Sequence, residues 1–498
     1  MASTGFIDEV EVALEFAGGR RHVDIRFGIL NHGVLDRDER SEARDIRIGV
    51  IGTPNLIDGF LGWLEKCGEG VAAKETNKPN LFPRFPGFGR DSPFNAEWIC
   101  DARAKRGLSA ADIAALHRLT TPGEIVRQAA SLYLAQMDYL VNETRPHIIF
   151  CIIPDELSEQ LDRAAEIAPH PGERSHGDDD DVPGRRHDFH HCLKAEAMRY
   201  HTPIQLALPS TFGMGTRGKA TKKKRPRRRS GPRQLQDPAT RAWNLFTAMY
   251  YKAGGAPWRL PREATDYATC YVGVSFCRSL DESIVTTSIA QVFNERGEGI
   301  VVRGAQARVS KEDRTPHLTE ADSAEILIQA LQRYREEHRN MPARVVLHKS
   351  SWFTPEELAG FQGGLEQERV TMADMLSIRP SCIRLFRDGQ YPVLRGTHMS
   401  LGPDRHLLYT RGSVPFFETY PGLYVPRALE LRLDAVEQSR DALCRETLAL
   451  TKMNWNSTQF DMRDPVTLHA ARRVGDILKY VPIDAPADRI ARRYSFYM

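Results

Sequence analysis

Apolar positions along this chain follow two different rhythms. Up to about residue 208, short apolar runs alternate with stretches of helical spacing. Residues 44–51 (RDIRIGVI) predict a strand with an apolar end, followed by a turn at Gly52-Thr53-Pro54-Asn55. The next stretch, 56–67, places Leu56, Phe60, Leu61 and Leu64 on one side of a helix. A strong helix is predicted over 122–141, opened by Thr121-Pro122, a cap followed by proline at the first helical position. Residues 146–153 (PHIIFCII) form a continuous apolar run, as expected of a strand covered on both faces. Another helix at 189–200 and a strand at 202–208 follow. The alternation predicts a doubly wound α/β domain. Ligands of such domains sit beyond the carboxyl ends of the strands, near helix N-termini.

After residue 270 the rhythm changes. Residues 271–276, 283–293 and 299–307 are rich in β-branched side chains and predict three strands joined by polar turns. A helix over 319–340, with Ile326, Ile328, Leu331 and Tyr334 as apolar anchors, is stopped by Pro342. A strand at 344–348 comes next. Three strands, a helix and a parallel-type strand is the RNase H order. After a helix at 354–368, further strands are predicted at 380–387, 391–400, 406–411 and 428–432, and a last helix at 464–480. The whole chain reads as two α/β domains, 1–265 and 266–498.

Composition changes this picture in three places. The chain has 498 residues, 41% of them apolar, and a net charge of +3. That charge hides a local asymmetry. Residues 173–188 are acidic at their centre, while 216–233 hold ten Lys/Arg and no acid. Neither segment can bury apolar surface, so mobile loops are expected near 171–188 and 214–236. The basic one suits nonspecific phosphate contacts, or it is a solvated insertion paired loosely with the acidic one. The eight cysteines show no CxxC pair and several lie in apolar runs, which argues for reduced core thiols in a cytoplasmic protein. No signal peptide and no membrane-spanning run is read.

Two predicted strands end in serine, at Ser275 and at Ser350-Ser351. An RNase H-type nuclease would place aspartates there, because two divalent cations must be held around the scissile phosphate. Serine cannot supply that charge. Asp388 stands in Phe386-Arg387-Asp388-Gly389 and looks catalytic, but Asp-Gly between two strands is a tight-turn sequence. The run Asp178–Asp181, flanked by Gly and Pro, reads as loop.

The stretch Lys252-Ala253-Gly254-Gly255-Ala256-Pro257-Trp258-Arg259-Leu260, followed by Tyr271-Val272-Gly273-Val274-Ser275-Phe276, resembles the MID–PIWI junction of Argonautes. Arg344-Val345-Val346-Leu347-His348-Lys349 with Phe353 and Glu356 resembles the second PIWI signature. Leu450-Thr451-Lys452-Met453-Asn454-Trp455-Asn456, with Asp464-Pro465-Val466-Thr467 and Ala470-Ala471, resembles the closing block. With no room for N and PAZ domains before MID, the chain resembles the short prokaryotic Argonautes: a Rossmann-like MID domain followed by an RNase H-like PIWI domain.

That resemblance implies a pocket for a guide 5′-phosphate at His190, Lys194, Gln205 and Lys252. His190 and Lys194 are i, i+4 and share a helix face. The family adds a structural Mg2+ held by the C-terminal carboxylate, here Met498. Ser275, Ser350 and Lys452 match the catalytic positions, which are therefore degenerate. Arg472, Arg473 and Lys479 are candidates for guide or target backbone contacts. Implied partners are a short guide RNA, a single-stranded DNA target and a separate APAZ-domain effector (TIR, sirtuin-like or nuclease) that oligomerises on activation, in defence against plasmids or phage. Three rivals remain: an active nuclease drawing carboxylates from positions such as Asp388 or Asp461, a nucleotide-binding enzyme using the first domain, although Gly52-Thr53-Pro54-Asn55 is neither GxGxxG nor P-loop, and a purely structural subunit.

Overall fold

The first 36 residues do not fold with the residues that follow them. In the computed structural model they join 256–498, and residues 37–255 form a unit of their own. This corrects the boundary expected at 265. The structure describes residues 6–8, 11–167, 187–215, 235–263, 267–281, 283–293, 299–301, 304, 306–311, 315–386, 388–389, 392–422, 425–482, 485–486 and 489–498. Most of both expected loops lies outside these residues.

The N-terminal segment carries β1 (Phe6–Asp8), a short ladder of β2 (Leu14–Glu15) and β3 (Arg21–His22), and α1 (Ile25–His32). Asp24 caps α1, accepting from the backbone N–H groups of Arg26 and Phe27 at 2.9 and 3.0 Å. The segment is tied to its unit by buried charge. Glu11 meets Arg395 at 2.9 Å and Lys452 at 2.7 Å. Those partners lie hundreds of positions away, so no local pattern announces them.

In the 37–255 unit, β4 (Arg44–Gly52) leads into α2 (Pro54–Gly68). Then come β5 (Ala96–Ile99), β6 (Lys105–Gly107), α3 (Ala110–Ala115) and α4 (Pro122–Glu143). β7 (Ile148–Ile152), α5 (Asp155–Ile167), α6 (Phe189–Ala197), β8 (Ile204–Ala207) and α7 (Pro238–Lys252) complete it. The sheet is parallel throughout, in the order β5-β4-β7-β8 with β6 also on β4. All five residues of β7 are buried, as the apolar run predicts. Phe85 packs on Trp243 and Phe246 of α7 and Phe94 on Trp243, while Phe60 of α2 packs on Phe150 of β7.

The other unit continues with β9 (Thr269–Arg278), β10 (Val285–Phe293) and β11 (Gly299–Val301), an antiparallel meander. The small ladder β12 (Arg308–Val309) and β13 (Pro316–His317) precedes α8 (Glu320–His338). β14 (Arg344–Lys349) then inserts parallel to β9. This is the order read from the sequence. α9 (Pro355–Gln367), β15 (Met372–Pro380), β16 (Thr397–Ser400), β17 (Arg405–Leu408), β18 (Leu429–Ala435), α10 (Arg440–Leu450) and α11 (Val466–Leu478) follow. The nine-stranded sheet runs β1-β16-β17-β18-β15-β14-β9-β10-β11.

Among the described residues, the strand expected at 380–387 does not form beyond Pro380. β15 ends at Pro380, and Ser381–Phe386 has no regular element. Here Ile383 and Phe386 are exposed, the latter at 70%, so these apolar residues face solvent and not a core. The true strand is broken in pattern by Asp374 and Ser377, both buried. Asp374 is tolerated inside because it receives Arg344 Nε at 2.7 Å and the N–H groups of Glu437 and Gln438.

Candidate nucleic-acid interface

In the 37–255 unit, Gln205 lies on β8, the edge strand, Lys252 ends α7, and His190 and Lys194 lie on α6, which contacts β8. Lys252 closes α7 and is buried. Its ammonium donates to Gln205 Oε1 at 2.6 Å and to the Ile204 carbonyl at 3.1 Å. Gln205 in turn donates to the Leu206 carbonyl at 3.1 Å. Burial pulls Lys252 down to about 7, with Cys151 opposing. Lys194, on α6, is also buried, and α6 packs on α4 and β8. His190 stands one turn before it, half-buried. The structure thus joins Lys252 to Gln205 directly and puts His190 and Lys194 on the adjoining helix. Two lysines, an imidazole and an amide suit an anion. Among these side chains the Gln205 amide oxygen is the one oxygen donor of the kind magnesium demands, and it accepts from Lys252.

In the other unit, β9 and β14 run parallel in a register that sets Lys349 opposite Val274. The next pair is Ser350 and Ser275, and Ser350 Oγ lies 3.4 Å from Ser275 Oγ. Strand alternation puts Gly273, Ser275, His348 and Ser350 on the face that α11 covers. There His348 Nδ1 lies 2.9 Å from Thr467 Oγ1. Burial, followed by Arg344, lowers His348 to about 3, so it is neutral. The strand ends thus present two hydroxyls and a neutral imidazole.

Lys452 makes its contacts with the N-terminal segment. Its ammonium is fully buried, donates to the carbonyls of Val12 and Val23 at 2.6 and 2.8 Å, and pairs with Glu11. The residue ties down the N-terminal segment. On α11, Arg472 pairs with Asp464, Arg473 is exposed, and Lys479 lies 4.0 Å from Asp476. Burial would raise Asp464, but Arg472 and Arg463 hold it well below the usual carboxylate range. Arg473 is therefore the most open of the three basic candidates. Met498 is buried in its unit after the turn Tyr494–Phe496. Asp388 is exposed in a turn whose Gly389 has φ +71°. Asp461 is buried, and its backbone carbonyl accepts from Arg411.

The structure aligns with Clostridium butyricum Argonaute bound to a guide DNA and a 19-mer target DNA at a TM-score of 0.60 and 13% identity, covering 98% of this chain and 55% of that one. A. aeolicus Argonaute gives 0.56 and 13%, covering 96% and 54%. Aa-Ago with externally bound siRNA gives 0.53 and 14%, covering 95% and 53%. The fold is that of the Argonautes. No family model and no curated protein matches the chain. It spans about half the length of the solved Argonautes it resembles.

The Argonaute-like fold leaves one group that sequence reasoning missed. Asp188 caps α6, accepting from the His191 N–H at 3.0 Å. Its carboxylate and the rings of His190 and His191 bring ligand atoms within 4.8 Å of one another. The signal was present in His187-Asp188-Phe189-His190-His191, but His190 was paired only with Lys194. All eight cysteines are free, five of them buried. Among the described residues, no helix is long and apolar enough to cross a membrane.

Proposed function

We propose that this chain anchors the 5′-phosphate of a short guide strand at Lys194, Gln205 and Lys252. The guide then reads a complementary single strand without cutting it. The observation that carries the reading is the hydroxyl pair Ser275–Ser350, 3.4 Å apart at strand ends where metal-assisted cleavage needs carboxylates. Anchoring is supported by the buried Lys252–Gln205 pair. A terminal phosphate brings about −1.5 to −2 charges, and a nearby opposite charge restores the ammonium that burial disfavours. Base pairing would then specify the target, as in other guided systems.

A binder that does not cut must pass its signal on. By its resemblance to short prokaryotic Argonautes, the chain would act with an APAZ-domain effector in defence against plasmids or phage, with RNA as guide and single-stranded DNA as target. Co-purification from the native host, with sequencing of bound nucleic acid and identification of the co-purifying protein, tests this; recovery with no APAZ-domain protein would defeat it.

The decisive assay compares 5′-phosphorylated and 5′-hydroxyl oligomers of one sequence, then adds a complementary strand with Mg2+ or Mn2+. The phosphorylated oligomer should bind more tightly. Lys252→Met should erase most of that difference, about 10- to 100-fold for a lost charge-assisted hydrogen bond. The target should stay intact. Target cleavage would point to carboxylates such as Asp388 or Asp461 and defeat the non-cleaving reading. Equal binding of both oligomers would defeat the pocket.

A further inference from the structure

We propose that Asp188, His190 and His191 form a binding site for a divalent transition metal of the zinc class, using two imidazole nitrogens and one carboxylate oxygen. Their ligand atoms already lie within 4.8 Å of one another, and all three residues are half-buried. Zinc holds nitrogen and oxygen ligands at about 2.0–2.2 Å, which separates ligand atoms by about 3–4 Å. Metal binding would have to draw these side chains together by the remaining gap.

The local backbone holds the group in place. Asp188 is fixed as the N-cap by its bond to the His191 N–H, and His191 Nδ1 lies 3.8 Å from the same carboxylate oxygen. Phe189, between the ligands, is buried against Tyr133 with ring centroids 5.7 Å apart. The His190 and His191 rings stand 5.5 Å apart, tilted by 33°. The positive end of α6 opposes a cation with about half a charge, and the Asp188 carboxylate offsets it. Two imidazoles and a carboxylate are a donor set that suits zinc and its neighbours and suits magnesium or calcium poorly. Three protein ligands leave a fourth position for water or an anion. The site goes beyond guide anchoring: it shares His190 with the anion group, but Lys194, Gln205 and Lys252, on which the anchoring reading rests, take no part in it.

The test uses the full chain, stripped of metal and titrated with Zn2+ against a chromophoric chelator, with thiols alkylated to remove cysteine binding. The expected result is uptake of about one equivalent, with Mg2+ failing to compete. Co2+ should give the visible absorption of a four-coordinate site. His190→Gln and His191→Gln should each weaken Zn2+ binding about tenfold or more. Asp188→Asn keeps the helix cap and should weaken it likewise, which decides the matter if a histidine variant fails to fold. No zinc uptake by the alkylated protein, or unchanged uptake in Asp188→Asn, overturns the assignment.

Discussion

Lys252 is an ammonium held in a dry place by two oxygens, Gln205 Oε1 and the Ile204 carbonyl. Burial lowers it to about 7, far below the free side chain. Bound phosphate favours the charged form, so above pH 7 binding must take up a proton. Affinity for a 5′-phosphorylated oligomer should therefore fall as pH rises from about 7 to 9. On the acid side, the phosphate loses its second charge below about pH 6. The optimum lies between. Lys252→Arg, whose guanidinium stays protonated throughout, should flatten the alkaline limb, and a limb that persists in that variant would remove Lys252 from the pocket. The same shift affects folding in the opposite sense. Unfolded Lys252 keeps its proton to about 10.4, so its burial penalty is full below 7 and fades as pH rises above it.

At the scale of elements, α11 can approach β9 only because position 273 has no Cβ. A Cβ there would overlap the Thr467 carbonyl. Gly273→Ala should push α11 off the sheet and cost about 1–3 kcal/mol, read as a lower midpoint in denaturant unfolding. A midpoint unchanged from the parent would mean that the helix does not pack this closely. The start of α9 is fixed by a different device. Thr354 and Glu357 form a capping box, and Glu357 also takes the fully buried Lys349 ammonium at 2.9 Å. Helix boundaries like this were legible, because caps and proline act within a few residues. The helix at 354–368 was read within a residue of its true ends. β15 was not legible. Its acid and serine disguise a core strand, and their partners, Arg344 and Asp434, come from strands distant in sequence.

Across the whole chain, the N-terminal segment belongs with the C-terminal half through Glu11. Burial alone would raise its carboxyl, but Arg395 and Lys452 together hold it below its ordinary 4.5. Glu11→Gln leaves two buried cations without their acid, and should cost about 3–5 kcal/mol, measured as a loss of thermal or chemical stability. In the parent, this contribution is complete above about pH 4.5 and is lost as acidification passes through the lower folded value. Equal stability of Glu11→Gln and parent at pH 7 would show that the segment is only loosely attached.

Periodicity by itself determined the parallel sheet around β7, the order meander–helix–β14, and the helix opened by Pro122, since each is written in neighbouring residues. Motif order also put Ser275 and Ser350 at corresponding strand ends. Tertiary structure alone decided that Lys252 grips Gln205, that Lys452 serves the N-terminal segment, and that residues 1–36 cross the chain to join 256–498. Buried charges choose partners by distance in space. That distance is set by how sheets and helices stack, and it has no fixed spacing in sequence.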